Sequence, residues 1–192
     1  MASKIDRVLL HVPRGYRSAE VASFVAQLDD LRTLMLHDLR GVTARELEWQ
    51  PKPGMNSIGM LLAHIAIVEV SWIEAAVKRV PPKEVKFHRI VGLDRDDDGM
   101  PAGPRDRHPA AIRGYRLADY VRHLRRGREN LRRAARKIAP RDLERAQRRV
   151  RFDGKVQIYN VRWVLYHLVE HFAGHYGQIL LLRHQYRDRG RK

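Results

Sequence analysis

The chain has 192 residues, enough for one domain with a substantial core and too few for two comfortable ones. It contains no cysteine, which excludes disulfides, thiolate metal ligands and cysteine nucleophiles, so any metal must be held by imidazole and carboxylate groups. Lysine and arginine number 38 against 22 aspartates and glutamates, a formal net charge of +16 that favours an anionic partner without saying which.

The opening stretch MASKIDRVLLHVPRG holds an apolar patch too short for a signal sequence, and no run reads as long enough to cross a bilayer. A cytoplasmic protein with no membrane association is the expectation, folded as a single domain over residues 1–192.

Four segments carry helical periodicity and none carries sustained strand alternation. The first runs from about Ser18 to Arg40, with Val21, Phe24, Val25, Leu28, Leu31, Met35 and Leu39 at steps of three and four before Gly41 stops it. WQPKPGMNS breaks the chain, and Asn56 or Ser57 can cap a second helix from about Ser57 to Arg79. Its apolar face carries Ile58, Leu61, Leu62, Ile65, Val68, Trp72 and Ile73, and Pro81 and Pro82 end it. Residues 87–114 are irregular and rich in glycine, proline and charge, the composition of a functional connection long enough to let the next helix run parallel.

The third helix, from about Leu117 to Ala139, sets Leu117, Val121, Leu124, Leu131, Ala135 and Ile138 on one stripe and arginine opposite. RRVRFDGKVQIYN is a short connection with room for some extended structure. The fourth helix follows from about Asn160 to Arg187, with Val164, Leu165, Leu168, Phe172, Ile179 and Leu182 inward. Four long amphipathic helices, one long crossover and no strands predict an all-α four-helix bundle.

The fourth helix contains HLVEHFAGHYGQ, three histidines at four-residue steps. With His171 at zero, His167 falls at about −40° and His175 at about +40°, on the stripe shared with Val164, Leu168 and Leu182. Histidines at i and i+4 stand one turn apart and can bind one ion together, but two ligands hold a metal weakly. His64 sits between Leu61 and Val68 on the inward face of the second helix and can supply a third nitrogen. His37 has acidic and polar neighbours, His123 borders the arginine face, and His11, His88, His108 and His184 lie near termini or in loops. A single histidine on an apolar face is more often a hydrogen-bonded core residue than a ligand. Spacing leaves both readings open, and leaves His167–His171 as good a pair as His171–His175.

Two stretches, LRGVTARELEWQPKPGMNSIGMLLAHIAIVEVSWI and WVLYHLVEHFAGHYGQILLLR, resemble the DinB/YfiT-like bacterial family of metal-dependent helical-bundle proteins. The former is similar to the family's approach to the helix bearing its first histidine. The latter is similar to its final helix, where a ligand pair is followed by a Gly-Gln element. With the spacing between them, the resemblance covers most of the chain. It implies a four-helix bundle with a long crossover between helices two and three, metal ligands at His64, His171 and His175, and zinc or nickel as the ion. His167 then becomes a pocket residue beside the site. It further implies a homodimer acting on a small-molecule substrate, in some relatives as a transferase or isomerase using a low-molecular-weight thiol.

Three neutral imidazoles leave an open position for water or a thiol, consistent with a hydrolase or a thiol-dependent transferase. Gln178, at about −20° on the last helix, can reach the site or a ligand histidine. Glu69 and Glu170 point away from the ligand stripe, so no general base stands out. Two other signals compete. DRDDDG, residues 94–99, matches the start of a calcium loop, but position twelve is Arg105 where a glutamate is needed; an acidic turn near the arginines or at the edge of the metal pocket suits it better. Arg122, Arg125, Arg126, Arg132, Arg133 and Arg136, followed by Arg141, Arg145, Arg148, Arg149 and Arg151, could track nucleic-acid phosphates. They lack aromatic interleaving or a nucleic-acid motif, and a solvated outer face is the simpler expectation. A metal that only stabilises the bundle is a further alternative.

Overall fold

Helix starts coincide with side chains able to take up the unpaired amides of a first turn. In the computed structural model, which describes residues 9–150 and 153–190, Ser18 accepts from the Val21 amide and opens α1 (Ala19–Asp38). Thr43 does the same for a short α2 (Ala44–Glu48), and Ser57 for α3 (Ile58–Trp72). The crossover contains α4 (Phe87–Val91), which stops at Gly92 with φ +83°. Asp119 accepts from the Arg116 amide at the start of α5 (Leu117–Ala135), and Asn160 caps α6 (Val161–Asp188).

The chain is mostly helical, as expected, with three local differences. The second helix does not run regularly to Arg79: α3 gives way to a π-helical turn, Ile73–Val77, and the chain leaves through Arg79 at φ +62°. The connection before α6 is an antiparallel hairpin, β1 (Ala146–Val150) with β2 (Val156–Asn160), so the expectation of no strands is corrected. Alternation is masked there by arginine and glutamine, while the Asp153-Gly154 step, with Gly154 at φ +77°, makes the turn. Ile58–Val77 is also long and apolar enough by composition to cross a membrane, correcting the expectation that no run is, but most of it is buried in the core. The apolar patch at residues 1–8 lies outside the described residues.

Packing places α3 at the centre. It lies against α5 and α6, and α1 touches those same two helices from the other side. Gly127 allows the close approach of α5, since a Cβ there would stand 3.3 Å from the Ala66 carbonyl oxygen. The far end of α6 is fixed by buried Arg183, whose Nε donates to Glu46 at 3.1 Å and whose terminal nitrogen donates to the Arg40 carbonyl at 2.7 Å.

The crossover is tied down by two histidines that the sequence places in a loop and on the arginine face. Both are buried. His108 donates from Nε2 to the Ile112 carbonyl and accepts at Nδ1 from the Ser57 hydroxyl, 2.8 Å away. His123 donates from Nδ1 to the Val91 carbonyl at 2.8 Å. Gln50 adds a third tie, accepting from the His108 amide at 2.8 Å.

One arginine of α5 faces inward. Arg128, 1% exposed, grips Glu69 of α3 with two bonds of 2.9 Å and reaches Asp29 of α1 at 2.7 Å. Removing one partner of a buried ion pair strands the other charge, whereas replacing both by apolar groups is far less damaging. Arg128→Met is therefore expected to lower the unfolding free energy by about 3–5 kcal/mol, and adding Glu69→Leu to recover much of it. Urea denaturation checks this through midpoints at constant slope; a double variant no more stable than the single one would refute it.

Candidate metal centre

Helix geometry alone stacks His171 and His175 on one face of α6, one turn apart. The packing of α3 against α6 then brings His64 across to them. The Nε2 atoms of His171 and His64 are 3.2 Å apart, and those of His175 and His171 are 3.1 Å apart. Among the described residues, this is the group of histidines and acids whose ligand atoms lie close enough to share an ion, all within 4.8 Å of one another.

The outer nitrogens decide what the inner ones can do. His64 donates from Nδ1 to Asp98 Oδ2 at 2.8 Å, and Asp98 is 3% exposed, its other oxygen accepting from the Met100 amide. His175 donates from Nδ1 to Gln178 Oε1 at 2.7 Å. A neutral imidazole carries one proton, so both rings turn a lone pair inward through Nε2. His171 has at most one proton to offer on its own Nε2 and cannot satisfy both neighbours. Three nitrogens packed this closely, with their lone pairs converging, are a donor set that suits a divalent cation.

Burial and neighbouring histidines favour the neutral form of His171 and His175, which is the ligand form. His171 is pushed down to about 3, first by burial and then by the neighbouring histidines 175, 64 and 167. Burial also lowers His175, against the opposing effect of its bond to Gln178. His167 is lowered mainly by burial, with Glu170 acting the other way.

His167 does not join the three. Its ring stacks on Trp163, with centroids 4.8 Å apart and planes 5° from parallel, and lies edge-on to Trp72 at 5.4 Å. Its centroid is 5.7 Å from that of His171, so it forms a flat wall beside the cluster. Glu69 is occupied by Arg128, and Glu170 is exposed beside His167 at 3.7 Å. His11, His37, His88 and His184 are exposed, away from the cluster.

Asp98 is the site residue that the sequence alone does not reveal. It belongs to DRDDDG, where it occupies the fifth position of the supposed calcium loop, yet its carboxylate turns onto His64 instead. The general need of a metal-binding histidine for a carboxylate on its other nitrogen is the signal that could have found it. The arginine face of α5 is largely engaged within the chain. Arg122 pairs with Asp119, Arg132 with Asp29, and Arg126 donates to the carbonyls of Ile90 and Arg89. Arg151 lies outside the described residues.

Comparison with known proteins identifies the family of the chain. A protein-family model described as mycothiol S-transferase matches residues 23–188, a span that includes His64, Asp98, His171 and His175. No curated protein matches the chain. The match covers most of the sequence and is of the DinB/YfiT-like kind that the two quoted stretches resemble, so the chain belongs to the mycothiol S-transferase family.

Proposed function

We propose that this protein is a metal-dependent thiol S-transferase on a single four-helix bundle with a long crossover. In this reading His64, His171 and His175 hold a zinc or nickel ion, and the substrates are a mycothiol-type thiol and a small electrophile. The observation that carries the reading is the convergence of three Nε2 atoms whose ring orientation is set from outside by Asp98 and Gln178. Family membership supports the thiol as the nucleophile.

A divalent ion in the cluster supplies a Lewis acid that lowers the pKa of a thiol held against it, making thiolate available near neutral pH. The chain's own residues do the rest. Asp98 and Gln178 fix the tautomers of His64 and His175, so no ring must rotate before binding. Trp163, His167 and Trp72 wall one side and limit water. In the transfer the sulfur forms a bond to the electrophilic carbon, the leaving group departs with the electron pair of its own bond, and the thiol proton passes to water. The absence of a general base among Glu69 and Glu170 is no obstacle, because a thiol acidified in this way needs none.

Purified protein is expected to carry about one equivalent of zinc or nickel per chain, by elemental analysis. His64→Ala, His171→Ala and His175→Ala should each lose both the metal and the conjugation of mycothiol to a fluorogenic electrophile. Turnover that survives complete metal removal would exclude the reading.

Asp98→Asn keeps the shape of the side chain but weakens its hold on the His64 proton. Metal affinity, measured by competition with a chelator, should fall about 10–100-fold, with helix content unchanged by circular dichroism; an unaltered affinity would show that Asp98 does not orient the ligand.

The lowered His171 value sets a pH dependence. Between about pH 3 and the ordinary histidine value of 6.5, the unfolded chain binds more protons than the folded one. Stability of the metal-free protein therefore falls as pH drops through that window. Melting temperatures of metal-free wild type and His171→Leu should diverge in slope there, the variant being flatter; parallel curves would contradict the assignment.

A further inference from the structure

Beyond His64, α3 runs into the π-helical turn Ile73–Val77, and Lys78 follows it, about 20 Å along the axis from the histidine cluster. Lys78 is held in place. Its Nζ donates to Glu74 at 2.6 Å and to Asn130 at 2.8 Å, and Asn130 in turn donates to Glu74 at 2.8 Å, both partners being buried. An ammonium has three protons, so one stays available on a side chain whose position is fixed. Arg145 braces the same turn from the other side, donating to the carbonyls of Ala76 and Val77 at 3.1 and 3.2 Å.

Lys78 and Arg133 line two cavities at once, each of about 410 Å³. One continues to Lys137 and Arg145 over an apolar lining of Val77, Ala134 and Ile138, the other to Arg89 and Arg126. Arg89 also lines a third, of about 680 Å³, together with Lys83, Lys86 and Arg95. Shared side chains thus join the three into one groove that crosses the π-turn, α5 and α4.

Most of its cations are not consumed within the chain. Lys83, Lys86, Arg89, Arg95, Arg133 and Lys137 are exposed, and their side chains have no hydrogen-bond or ion-pair partner among the described residues. The carboxylates along the groove are Asp94, Glu129 and Asp142, one to each cavity. Asp142 accepts from the Ala139 amide at 2.8 Å, and Glu129 faces Arg125 at 3.9 Å. A row of like charges repels itself and favours an occupant that neutralises several of them together. No tryptophan or tyrosine lines the groove among the described residues, and Phe87 is buried, so bases find little to stack on.

We propose that this groove binds a linear chain of phosphates without bases, an inorganic polyphosphate, lying across α5 from Lys137 to Lys83 with Lys78 as its fixed central contact. The site shares no residue with the histidine cluster and does not depend on the transferase reading.

The test is fluorescence anisotropy of an end-labelled, medium-chain polyphosphate titrated with the full chain at physiological ionic strength. Orthophosphate and a single-stranded oligonucleotide of matched charge are expected to compete at least about tenfold more weakly, the first for want of linked contacts and the second for want of stacking. Arg133→Glu with Lys137→Glu should weaken polyphosphate binding about tenfold or more and flatten its salt dependence. Lys83→Glu with Lys86→Glu, outside the long helices, should act in the same sense and covers the case in which the first pair misfolds. Arg45→Glu with Arg187→Glu changes net charge equally on α2 and α6, whose ends meet at Trp49 and Tyr186, and should alter affinity less than about twofold. An equal loss in this control pair would reduce the effect to net charge and overturn the proposal. Oligonucleotide binding as tight as polyphosphate would assign the groove to nucleic acid instead, and affinity abolished by a chelator would assign the contact to an ion at the histidine cluster.

Discussion

The proton on Nδ1 of His64 is committed to Asp98, 2.8 Å away, and that commitment decides which nitrogen of the ring faces α6. Gln178 does the same for His175 from within α6 itself. Both rings are thereby held with lone pairs inward, against a His171 whose burial keeps it neutral. Such a cluster is poorly satisfied by its own members, because three close nitrogens cannot all exchange protons with each other. A divalent cation held by the three nitrogens would resolve the conflict. Rigid helices set the spacing of the ligands, and the hydrogen bonds outside them set their direction.

Asp98 can do this only because the crossover returns over α3. His108 ties it to Ser57 at the start of that helix, and His123 ties α4 to α5 through the Val91 carbonyl. Each of these histidines is buried and hydrogen-bonded. The chain therefore uses the same side chain in two ways: singly, with protein partners, as a structural pin, and in convergence, with nitrogens facing one another, as a donor set. What separates the uses is the partner of the inner nitrogen, and with it burial: His108 and His123 are buried, while the three clustered histidines are partly exposed.

This explains how much of the molecule was legible in the sequence. The long helices have apolar stripes, and three of the four have a capping side chain before them, both local signals; α5 opens on Asp119 inside its own first turn, while the other starts could be read from Ser18, Ser57 and Asn160. The hairpin could not, because Gln147, Arg148 and Arg149 hide the alternation of β1. The spacing of His171 and His175 marks a possible pair, yet on spacing alone His167 fits as well, and only the family resemblance tells them apart; in the structure the difference is the Trp163 ring on which His167 stacks. Asp98 was illegible for a different reason. Its partner is 34 residues away, and a run of aspartates ending in glycine has a local meaning, calcium binding, that tertiary contact overrides. Arg128 was hidden likewise among outward arginines, because nothing local shows that Glu69 and Asp29 await it in the core.

The crossover, whose composition marks a functional connection, and the hairpin both send side chains onto the helical frame. The helices supply three imidazoles and an apolar frame, which by themselves favour no substrate. Asp98 and Arg95 come from one turn of the crossover, Arg149 and Tyr159 from the hairpin. Both segments meet α3, the crossover through Asp98 on His64 and the hairpin through Arg149 over Trp72, while the spacing of the histidines is set by the helices. The spacing of the histidines and the hydrogen bond that orients His64 thus come from different parts of the chain, and the buried grip of Arg128 on Glu69 and Asp29 ties the helical part together. A fold divided in this way can keep the histidine cluster on its rigid helices while its loops vary.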